Sequence, residues 1–390
     1  VTAPIYLDHA ATTPAAPEAV AAMIACLRDD FGNPSSVHAI GRAARNAVDA
    51  ARDRLACALR CAPREIVFTG SGSEADNLAL RGALQRWGRE RGTHMVVSAI
   101  EHDAVLATAQ QLRDTGAASV TVVGCDARGV VDPDEFAAAV RADTVVASLM
   151  LVNNETGVVQ DVAAAADAVH RRNPAALVHT DAVQAFGRLP LQPDALGVDV
   201  LSLSAHKVYG PKGVGALWVR HGVFLGAQVT GGGQERGRRS GTENVPGIAG
   251  FGAAAELAER VRESEATRQT ALAQRLIDAV SAAVPDALIT GAGAARAAGF
   301  ASFAFRGCRT DLLLAVLDTR GVAASGGSAC SSGAPTPSHV LLAMGLGPEL
   351  AAGALRCTMG RSTTEADVDA AAAAVAASVM QLRAASAAVV

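Results

Sequence analysis

The sequence predicts an α/β protein built on a doubly wound, mostly parallel sheet, with a second and smaller α/β domain. Between residues 65 and 221, short runs that are apolar throughout alternate with stretches of helical character. Strands that are covered by helices on both faces require this pattern. After residue 258 the pattern changes to long Ala-rich helices with few strand-like runs. We therefore expect a large domain over residues 16–258 and a small domain formed by residues 1–15 and 259–390.

The apolar runs predict individual strands in chain order. Those of the large domain are "EIVFT", "MVVSAI", "VTVV", "TVVASLMLV", "ALVHTDAV", "VDVLSLS" and "GALWV". Helices are predicted between them, beginning in "GSGSEADNLALRGALQRW" and "PDEFAAAVR". In the small domain, "GFASFAF" and "GALRCTM" are the predicted strands, and Thr364 with Asp367 is a weak capping signal for the last helix.

Charge and hydropathy exclude several kinds of ligand. The chain carries 34 Lys and Arg against 38 Asp and Glu, a formal charge of -4, so we expect no nucleic-acid partner. No uninterrupted apolar run approaches the roughly 18 residues of a membrane helix, and we expect no membrane partner. The first residues lack the basic stretch and apolar run of a signal peptide, so the expected location is the cytoplasm.

The cysteines predict reduced thiols. There are seven, an odd number, scattered along the chain and without a C-x-x-C pair. This spacing favours neither a disulfide framework nor a zinc site, and we expect no metal site.

The end of the first long strand predicts a weak anion site. In open α/β sheets, ligands bind beyond the carboxyl ends of the strands. "IVFT" is followed by Gly72 and Ser73 at the start of a helix, where free backbone N–H groups and a hydroxyl could hold a phosphate. The stretch is neither G-x-G-x-x-G nor a Walker lysine loop, and such turns are often only turns.

Further polar residues follow the other strands. They are His102, Asn154, Asp181, Gln184, Ser204, His206 and Lys207. Singly, each has an ordinary structural explanation, because such a histidine or aspartate often caps a helix and such a lysine is often solvated. Together they match the requirements of pyridoxal 5'-phosphate, which needs a Schiff-base lysine, a carboxylate for its ring nitrogen and a phosphate site.

The charges at these strand ends agree with that cofactor. A buried Asp181 would keep the ring nitrogen protonated, so that the ring can accept electrons from a substrate carbanion. Lys207 must lose its proton to form the imine, and burial near other cations lowers the pKa of a lysine. Gly210, Pro211 and Gly213 turn the chain sharply after the lysine and hold it in place.

The chain resembles a known family along nearly its whole length. The segments are "YLDHAATTP", "FGNPSSVHAIGR", "EIVFTGSGSEADNLA", "EHDAV", "NNETGVVQD", "HTDAVQAFG", "SAHKVYGPKGVGAL", "GGGQERGRRSGTENV", "GSACSSG" and "LRCTMGRSTTE". They resemble the cysteine desulfurases of the NifS and IscS branch of the class V aminotransferases. The resemblance implies the fold type I of pyridoxal-phosphate-dependent transferases.

The resemblance also implies roles for the strand-end residues. Lys207 would hold the cofactor covalently, His102 would stack on its ring and help proton transfer, and Asp181 would pair with its ring nitrogen. The remaining cofactor contacts would be Gln184 at the ring hydroxyl and Gly72, Ser73, Ser204 and His206 at the phosphate.

Three more residues receive roles by the same resemblance. Asn154 and Arg356 would fix the carboxylate of the substrate, the arginine through a two-pronged ion pair. Thr242 would reach the phosphate bound by a partner subunit, which implies a homodimer with shared sites.

Cys330 separates a desulfurase from related enzymes. The stretch around it, "ASGGSACSSGAPTPS", contains no large apolar residue, which disfavours the usual buried cysteine and favours a mobile loop. Composition alone leaves open whether the thiol is reactive. The resemblance favours the reactive thiol and implies a persulfide on Cys330. L-cysteine would be converted to L-alanine, and the sulfur would pass to an acceptor protein whose identity the sequence leaves open.

Other functions stay open at this level. The nearest alternative is another class V enzyme on the same cofactor, such as a selenocysteine lyase, an aminotransferase or an epimerase. A nicotinamide-dependent oxidoreductase is disfavoured because no G-x-G-x-x-G follows a strand. A catalytically silent scaffold is disfavoured by the simultaneous presence of Lys207, Asp181, His102, Arg356 and Cys330. Iron–sulfur assembly, tRNA thiolation, DNA phosphorothioation and biosynthesis remain as destinations of the sulfur.

Overall fold

The computed structural model of the chain describes residues 4–327 and 337–387. Its strands are β1 (Ile5–Tyr6), β2 (Ile66–Thr69), β3 (His94–Ser98), β4 (Ser119–Val123), β5 (Thr144–Ser148), β6 (Leu177–Asp181), β7 (Val200–Ser204), β8 (Gly215–Val219), β9 (Leu288–Ile289), β10 (Phe300–Ala304), β11 (Val322–Ala323) and β12 (Ala354–Thr358). Its α-helices are α1 (Pro17–Arg28), α2 (Ala39–Leu59), α3 (Gly72–Arg91), α4 (Asp103–Asp114), α5 (Pro133–Ala138), α6 (Val162–Arg172), α7 (Val245–Ala283), α8 (Thr310–Thr319), α9 (His339–Ala343), α10 (Pro348–Ala351) and α11 (Glu365–Ala387). Three short 3₁₀ turns cover Pro63–Glu65, Ala205–Lys207 and Glu235–Gly237.

The large sheet contains all seven strands predicted for it. Their order is β2-β8-β7-β6-β5-β3-β4. All neighbouring pairs are parallel except those of β8, which runs antiparallel to both β2 and β7. The predicted α/β class with a mostly parallel sheet is therefore confirmed.

Burial on both faces explains why these strands, apart from the partly exposed edge strand β4, are apolar throughout. Along β3, Met95 and Val97 lie in a core cluster with Leu80 of α3 and Val105 of α4, whereas Val96 between them lies in a different and larger cluster. Because side chains alternate across a strand, successive residues of β3 face opposite layers of helices. This is the packing that a doubly wound sheet provides.

Two smaller sheets lie outside the large one. One has the order β12-β10-β9, and the other pairs β1 with β11 in parallel, so that Ile5 is paired with Val322. A second core cluster joins Leu7 to residues of the C-terminal part such as Leu276 and Val375. The N-terminal segment thus packs with the C-terminal part of the chain.

The division into domains after residue 258 stays a prediction. Helix α7 runs through that position as one continuous helix and packs against α1 and α2 as well as α11. Val340, Leu341 and Met344, from the part assigned to the small domain, belong to the core cluster of the large sheet.

The last helix is apolar on more than its buried face. Residues Glu365–Ala385 are long and apolar enough to cross a membrane by length and composition alone, with mean hydropathy 1.2. In the structure Val368, Val375 and Val379 pack into the core, and 39% of the window is buried. A core helix passes the same test, so the finding is weak evidence for a membrane span. The predicted cap is present, with Asp367 Oδ2 accepting from Thr364 N at 2.9 Å.

Candidate active site

A cavity of about 360 Å³ lies at the carboxyl end of the large sheet. Its lining includes the ends of β6 and β7, the start of α3 and the N-terminal segment that follows β1. The lining residues are Ala10, Ala11, Ser71, Gly72, Ser73, Asp76, His102, Asn154, Asp181, Val183, Gln184, Ser204, His206, Lys207, Gly327 and Arg356. Ten of the twelve predicted site residues are among them.

Lys207 is held by the turn that follows β7. The strand ends at Ser204, and the 3₁₀ turn Ala205–Lys207 places the lysine at the cavity. Lys207 Nζ donates to the carbonyl oxygens of Ala10 at 2.6 Å and Ala11 at 2.7 Å. These two carbonyls orient the amine towards the cavity that they also line.

The chain leaves this turn through a glycine that has no room for a side chain. A Cβ at Gly210 would lie 2.8 Å from the carbonyl oxygen of Ala205. Tyr209 before it adopts the left-handed region, with φ 66°. The predicted role of this turn in holding the lysine therefore has a steric basis.

Asp181 ends β6 and is buried. Its Oδ1 accepts from Val183 N at 2.8 Å. Burial raises the pKa of this carboxyl, while His102 and then Lys207 oppose that shift by favouring the ionised form. Asp181 is therefore a buried carboxylate whose charge depends on cationic neighbours, as a partner for a protonated ring nitrogen should be.

His102 and Gln184 both belong to the cavity lining that contains this carboxylate. His102 caps α4, because its Nδ1 accepts from Ala104 N at 3.0 Å. In the neutral imidazole the proton is therefore on Nε2. Gln184 is buried and donates from Nε2 to the carbonyl of Ala10 at 2.9 Å, so its amide oxygen remains as an acceptor.

The predicted phosphate end of the cavity lies at the start of α3. Ser71 caps the helix, with Oγ accepting from Glu74 N at 3.0 Å. The first turn leaves amide N–H groups without intrahelical acceptors, and Gly72 and Ser73 place theirs at the cavity. A Cβ at Gly72 would lie 3.2 Å from Ser204 Cβ, so glycine allows the close approach of helix and strand.

His206 is neutral at this end of the cavity. Burial, assisted by Lys207 and Lys212, lowers its pKa to about 4. Its Nδ1 lies 3.1 Å from Thr12 Oγ1. At neutral pH it can interact with an anion by hydrogen bonding, without a full positive charge of its own.

Arg356 and Asn154 form another wall of the cavity. Arg356 is buried in β12, and its Nη1 donates to the carbonyls of Asn154 at 2.6 Å and Gly327 at 3.4 Å. Its Nη2 forms an ion pair with Asp8 Oδ1 at 2.8 Å. Within the described ranges, Arg356 Nε and Asn154 Oδ1 are buried without a hydrogen-bond partner. A carboxylate and an amino group of a substrate could satisfy them.

Three titratable side chains lie together in the lining of the cavity. Polar atoms of Asp76, His102 and Asp181 are all within 4.8 Å of one another. Such a group could also hold a cation. The absence of a metal site stays a prediction of the sequence.

Among the predicted site residues that the structure describes, Thr242 does not line this cavity. Thr242 is exposed and lines a separate cavity of about 160 Å³ with Thr69, Gly213 and Asn244. Its predicted contact is with the site of a partner subunit, which a single chain does not test. Cys330 lies outside the described residues.

The six described cysteines are all free thiols. Burial raises the pKa of Cys61 to about 12, of Cys125 to about 11 and of Cys357 to about 12. These three are not thiolates at neutral pH, so they are poor nucleophiles. Cys357 is completely buried in β12, where it packs in the core.

The residues of the cavity fit pyridoxal phosphate. A lysine, a buried carboxylate, a helix N-terminus and an amide acceptor converge on one space of suitable size. Within the described part of the chain, buried polar atoms at Asp76, Asn154 and Arg356 still lack partners. The individual roles of the lining residues stay predictions.

Sequence reasoning missed Asp8, Asp76 and the carbonyls of Ala10 and Ala11. The segment "YLDHAATTP" carries part of the resemblance, but its place at the site depends on the long-range pairing of β1 with β11. Asp76 lies one helical turn after the Ser-Gly-Ser stretch, where a carboxylate is normally a solvated side chain. Its helical spacing from Gly72 and Ser73 was the only available signal.

Comparisons with known proteins agree on one family. The Aminotransferase class-V family matches residues 5–371. A cysteine desulfurase of Gluconacetobacter diazotrophicus is 44% identical over 367 residues, covering 94% of this chain and 90% of that protein. The cysteine desulfurase IscS of Methanosarcina thermophila is 42% identical over 365 residues, covering 94% and 89%.

Solved structures give the same result. A NifS-like protein superposes with a TM-score of 0.89 at 34% identity, covering 96% of this chain and 98% of that one. The structure of SspA in complex with cysteine superposes with a TM-score of 0.78 at 34% identity, covering 91% and 98%.

Proposed function

The chain belongs to the aminotransferase class-V family, and we propose that it is a pyridoxal-phosphate-dependent cysteine desulfurase. It converts L-cysteine to L-alanine and takes the sulfur atom as a persulfide on Cys330. The observation that carries this proposal is the convergence of Lys207, Asp181, the start of α3 and Arg356 on one cavity. Relatives named cysteine desulfurase, at 40–44% identity over most of the chain, support the substrate.

The protein supplies binding, orientation and proton transfer around the cofactor. When bound, pyridoxal phosphate supplies an electron-withdrawing ring that stabilises negative charge at the substrate Cα. Lys207 would hold the aldehyde group, Asp181 the ring nitrogen and the first turn of α3 the phosphate. Gln184, with its amide oxygen directed by the bond to Ala10, would contact the ring hydroxyl.

The substrate is positioned by Arg356 and Asn154. The guanidinium is fixed by Asp8 and by two backbone carbonyls, so its remaining N–H groups have a defined direction. An amino-acid carboxylate that binds there gains a charge-assisted hydrogen bond without the cost of ordering the arginine. The unpartnered Asn154 Oδ1 accepts a hydrogen bond from the same substrate.

Lys207 moves the proton. Its Nζ is held by the carbonyls of Ala10 and Ala11, and in the neutral amine it accepts the Cα proton of the substrate. His102, with its proton on Nε2, lies in the same lining and can return a proton to a leaving or product atom.

Cys330 takes the sulfur. Its thiolate attacks the sulfur of L-cysteine, the new S–S bond forms as the substrate C–S bond breaks, and the electron pair of that bond remains on the carbon. A proton added to this carbon completes L-alanine, and Cys330 carries the persulfide. Thus the substrate carbon is reduced while the enzyme thiol is oxidised.

Product analysis tests the proposal directly. The wild-type protein should be yellow and should release alanine and, with a thiol reductant, sulfide from L-cysteine. Cys330→Ser should lose both products, because alanine forms only after the thiolate has taken the sulfur, and Lys207→Ala should lose both as well. Activity that is indifferent to Cys330 would instead identify another class V enzyme, such as a selenocysteine lyase or an aminotransferase.

We propose further that the enzyme is a homodimer. The exposed position of Thr242, outside the cavity of its own chain, supports a role at a partner's site. Apolar side chains of α1, of the segment after it and of the start of α2 are also exposed: Ile24, Leu27, Phe31, Val37 and Ile40. Light scattering after size-exclusion chromatography gives the mass, and a monomer at micromolar concentration would contradict the dimer.

We propose that the sulfur passes to an acceptor protein in the cytoplasm. The free thiols of all six described cysteines support a reducing compartment. Relatives with the name IscS support iron–sulfur cluster assembly as a destination. Incubation of the persulfide form with candidate scaffold proteins, followed by mass spectrometry for added sulfur, tests this assignment.

A further inference from the structure

Asp76 is a buried carboxyl that the proposed reaction does not use. It lies in α3, one turn after the residues that would hold the phosphate, and its side chain lines the same cavity. Only 1% of the residue is exposed. A carboxyl in this position requires an explanation, because aspartate is almost never fully buried unless it is paired.

No cation neutralises Asp76 among the described residues. Its Oδ1 has no hydrogen-bond partner there, and the nearest ring nitrogen, His179 Nε2, is 3.6 Å away. That nitrogen lies 2.9 Å from Ser202 Oγ, and His179 Nδ1 lies 2.8 Å from Ser148 Oγ. Burial lowers the pKa of His179 to about 3, so the ring is neutral.

The neighbours of Asp76 on the other side are acidic. An oxygen of Asp181 lies within 4.8 Å of one of its oxygens, and Glu101 is a second buried carboxyl nearby. Burial, and next the charge of Asp181, raise the pKa of Asp76 well above its usual range, and the hydroxyl of Ser202 opposes this only in part. His102 completes the set of titratable groups around it.

The two carboxyls differ in which groups support a negative charge. Asp181 accepts from the backbone amide of Val183, and both His102 and Lys207 favour its ionised form. Among the described residues, the Ser202 hydroxyl is the one group that favours ionisation of Asp76. Two like charges so close in a buried site cannot both persist, and the better-supported one remains ionised.

We propose that Asp76 is a positioning residue that stays protonated, leaving the single negative charge of the pair on Asp181. The neutral carboxyl fills the space behind Asp181, keeps water from it and offers it a hydrogen-bond donor. The charge is thereby fixed on the residue assigned to the ring nitrogen. The inference rests on the proposed function, since it concerns how Asp181 meets the cofactor.

Cofactor affinity distinguishes a neutral Asp76 beside an ionised Asp181 from a charge that lies on Asp76 or is shared. The measurement is the dissociation constant of pyridoxal phosphate for the apo-protein, from fluorescence titration. Asp76→Asn preserves a neutral group of the same shape and should bind within about threefold of wild type. Asp76→Ala removes the neutral partner and should bind about tenfold more weakly, the effect expected for one hydrogen bond to a charged group. Asp181→Asn removes the charge and should weaken binding more than either.

Two affinity results would overturn the proposal. If Asp76→Asn binds as weakly as Asp181→Asn, the charge lies on Asp76 or is shared. If Asp76→Ala binds like wild type, Asp76 does not position its neighbour.

Infrared difference spectroscopy gives a second readout that needs no turnover. At pH 7, wild type minus Asp76→Asn should show the carbonyl band of a protonated carboxylic acid, and wild type minus Asp181→Asn should show a carboxylate band instead. Lack of the acid band in the first difference would overturn the proposal. Sulfide and alanine release from wild type tests the proposed function separately, so the failure of one conclusion is distinguishable from the failure of the other.

Discussion

Arg356 Nη2 lies 2.8 Å from Asp8 Oδ1, and this ion pair joins the N-terminal segment to β12 at the wall of the active site. The arginine side chain is 3% exposed and the aspartate side chain 19%. The ion pair with Asp8 therefore offsets the energetic cost of burying the guanidinium before a substrate binds. Asp8 thus determines how Arg356 presents its remaining N–H groups to an amino-acid carboxylate.

Asp8→Asn should raise KM for L-cysteine about tenfold, with kcat changed less. The amide can still accept from Nη2, but the charge-assisted bond that fixes the guanidinium is lost. Steady-state kinetics of alanine release measure both constants. Asp311→Asn, which loses an exposed pair with Arg309 remote from the cavity, is the matched control and should leave KM unchanged. A lower KM for Asp8→Asn would show instead that Asp8 competes with the substrate carboxylate.

Gly327→Ala should reduce sulfide release more than it reduces cofactor affinity. Gly327 precedes Cys330 in the chain, has φ +94°, and a Cβ there would lie 2.9 Å from Glu155 Oε2. Glu155 also accepts from Ser338 Oγ, so one carboxyl contacts both sides of the segment that contains Cys330. Displacement of Glu155 should therefore misplace the nucleophile while the cofactor contacts persist.

A substitution at a second glycine shows whether the effect of Gly327→Ala comes from the contact with Glu155 or from backbone strain. Gly345 has a similar φ of +85°, but a Cβ at this position would meet no atom within 4 Å beyond its chain neighbours. Gly345→Ala should thus carry the left-handed strain of about 1–2 kcal/mol without the steric contact. Equal losses of sulfide release in both variants would attribute the effect to strain and contradict the role of Glu155.

Arg52→Met should destabilise the protein by about 3–5 kcal/mol, because it leaves Glu235 buried without its cation. Arg52 forms two hydrogen bonds with Glu235, at 2.7 and 2.9 Å, and its guanidinium lies 4.7 Å from the ring centroid of Phe68. The free energy of unfolding from urea titration measures the loss. Arg54→Met breaks an exposed pair with Glu256 and should cost at most about 1 kcal/mol. Similar losses in the two variants would contradict the argument.

The apolar runs of the sequence are sufficient to predict the strands of the large sheet, but they are insufficient to predict all residues of the active site. All seven predicted runs form its strands, and burial on both faces leaves a clear signal in six of them, while the edge strand β4 is partly exposed. The run "TVVASLMLV" is longer than the strand it predicts, since β5 ends at Ser148 and Leu149 continues as a loop that is still buried. Apolar composition shows burial and does not by itself show where strand pairing stops.

The missed site residues depend on contacts between distant parts of the chain. Lys207 is predictable from its own surroundings, but its acceptors at Ala10 and Ala11 are almost two hundred positions away. A carbonyl has no sequence signature, and Asp8 looks like any surface carboxylate until β1 pairs with β11. Only tertiary structure reveals such contacts.

Glu101→Gln should reduce the amount of unfolding free energy that the protein loses as pH rises. Burial raises the pKa of Glu101 in the folded state to about 8, against 4.5 for the ordinary side chain. The folded state thus holds a proton that the unfolded state has already released. The stability that this proton provides is fully present below pH 4.5 and is lost as pH rises towards 8, at up to about 1.4 kcal/mol per pH unit.

The glutamine variant is matched to this test because it can retain the existing hydrogen bonds. Glu101 Oε1 accepts from Ser98 Oγ and Met150 N, both at 2.7 Å, and an amide oxygen can do the same. The unfolding free energy of both proteins should be measured at pH 6.5 and pH 8. The buried histidines His9, His179 and His206, with folded pKa values of about 4, about 3 and about 4, are present in both proteins, so their effect cancels in the comparison. In this window wild type should lose more stability than Glu101→Gln, and equal slopes would show that Glu101 is ionised in the folded protein.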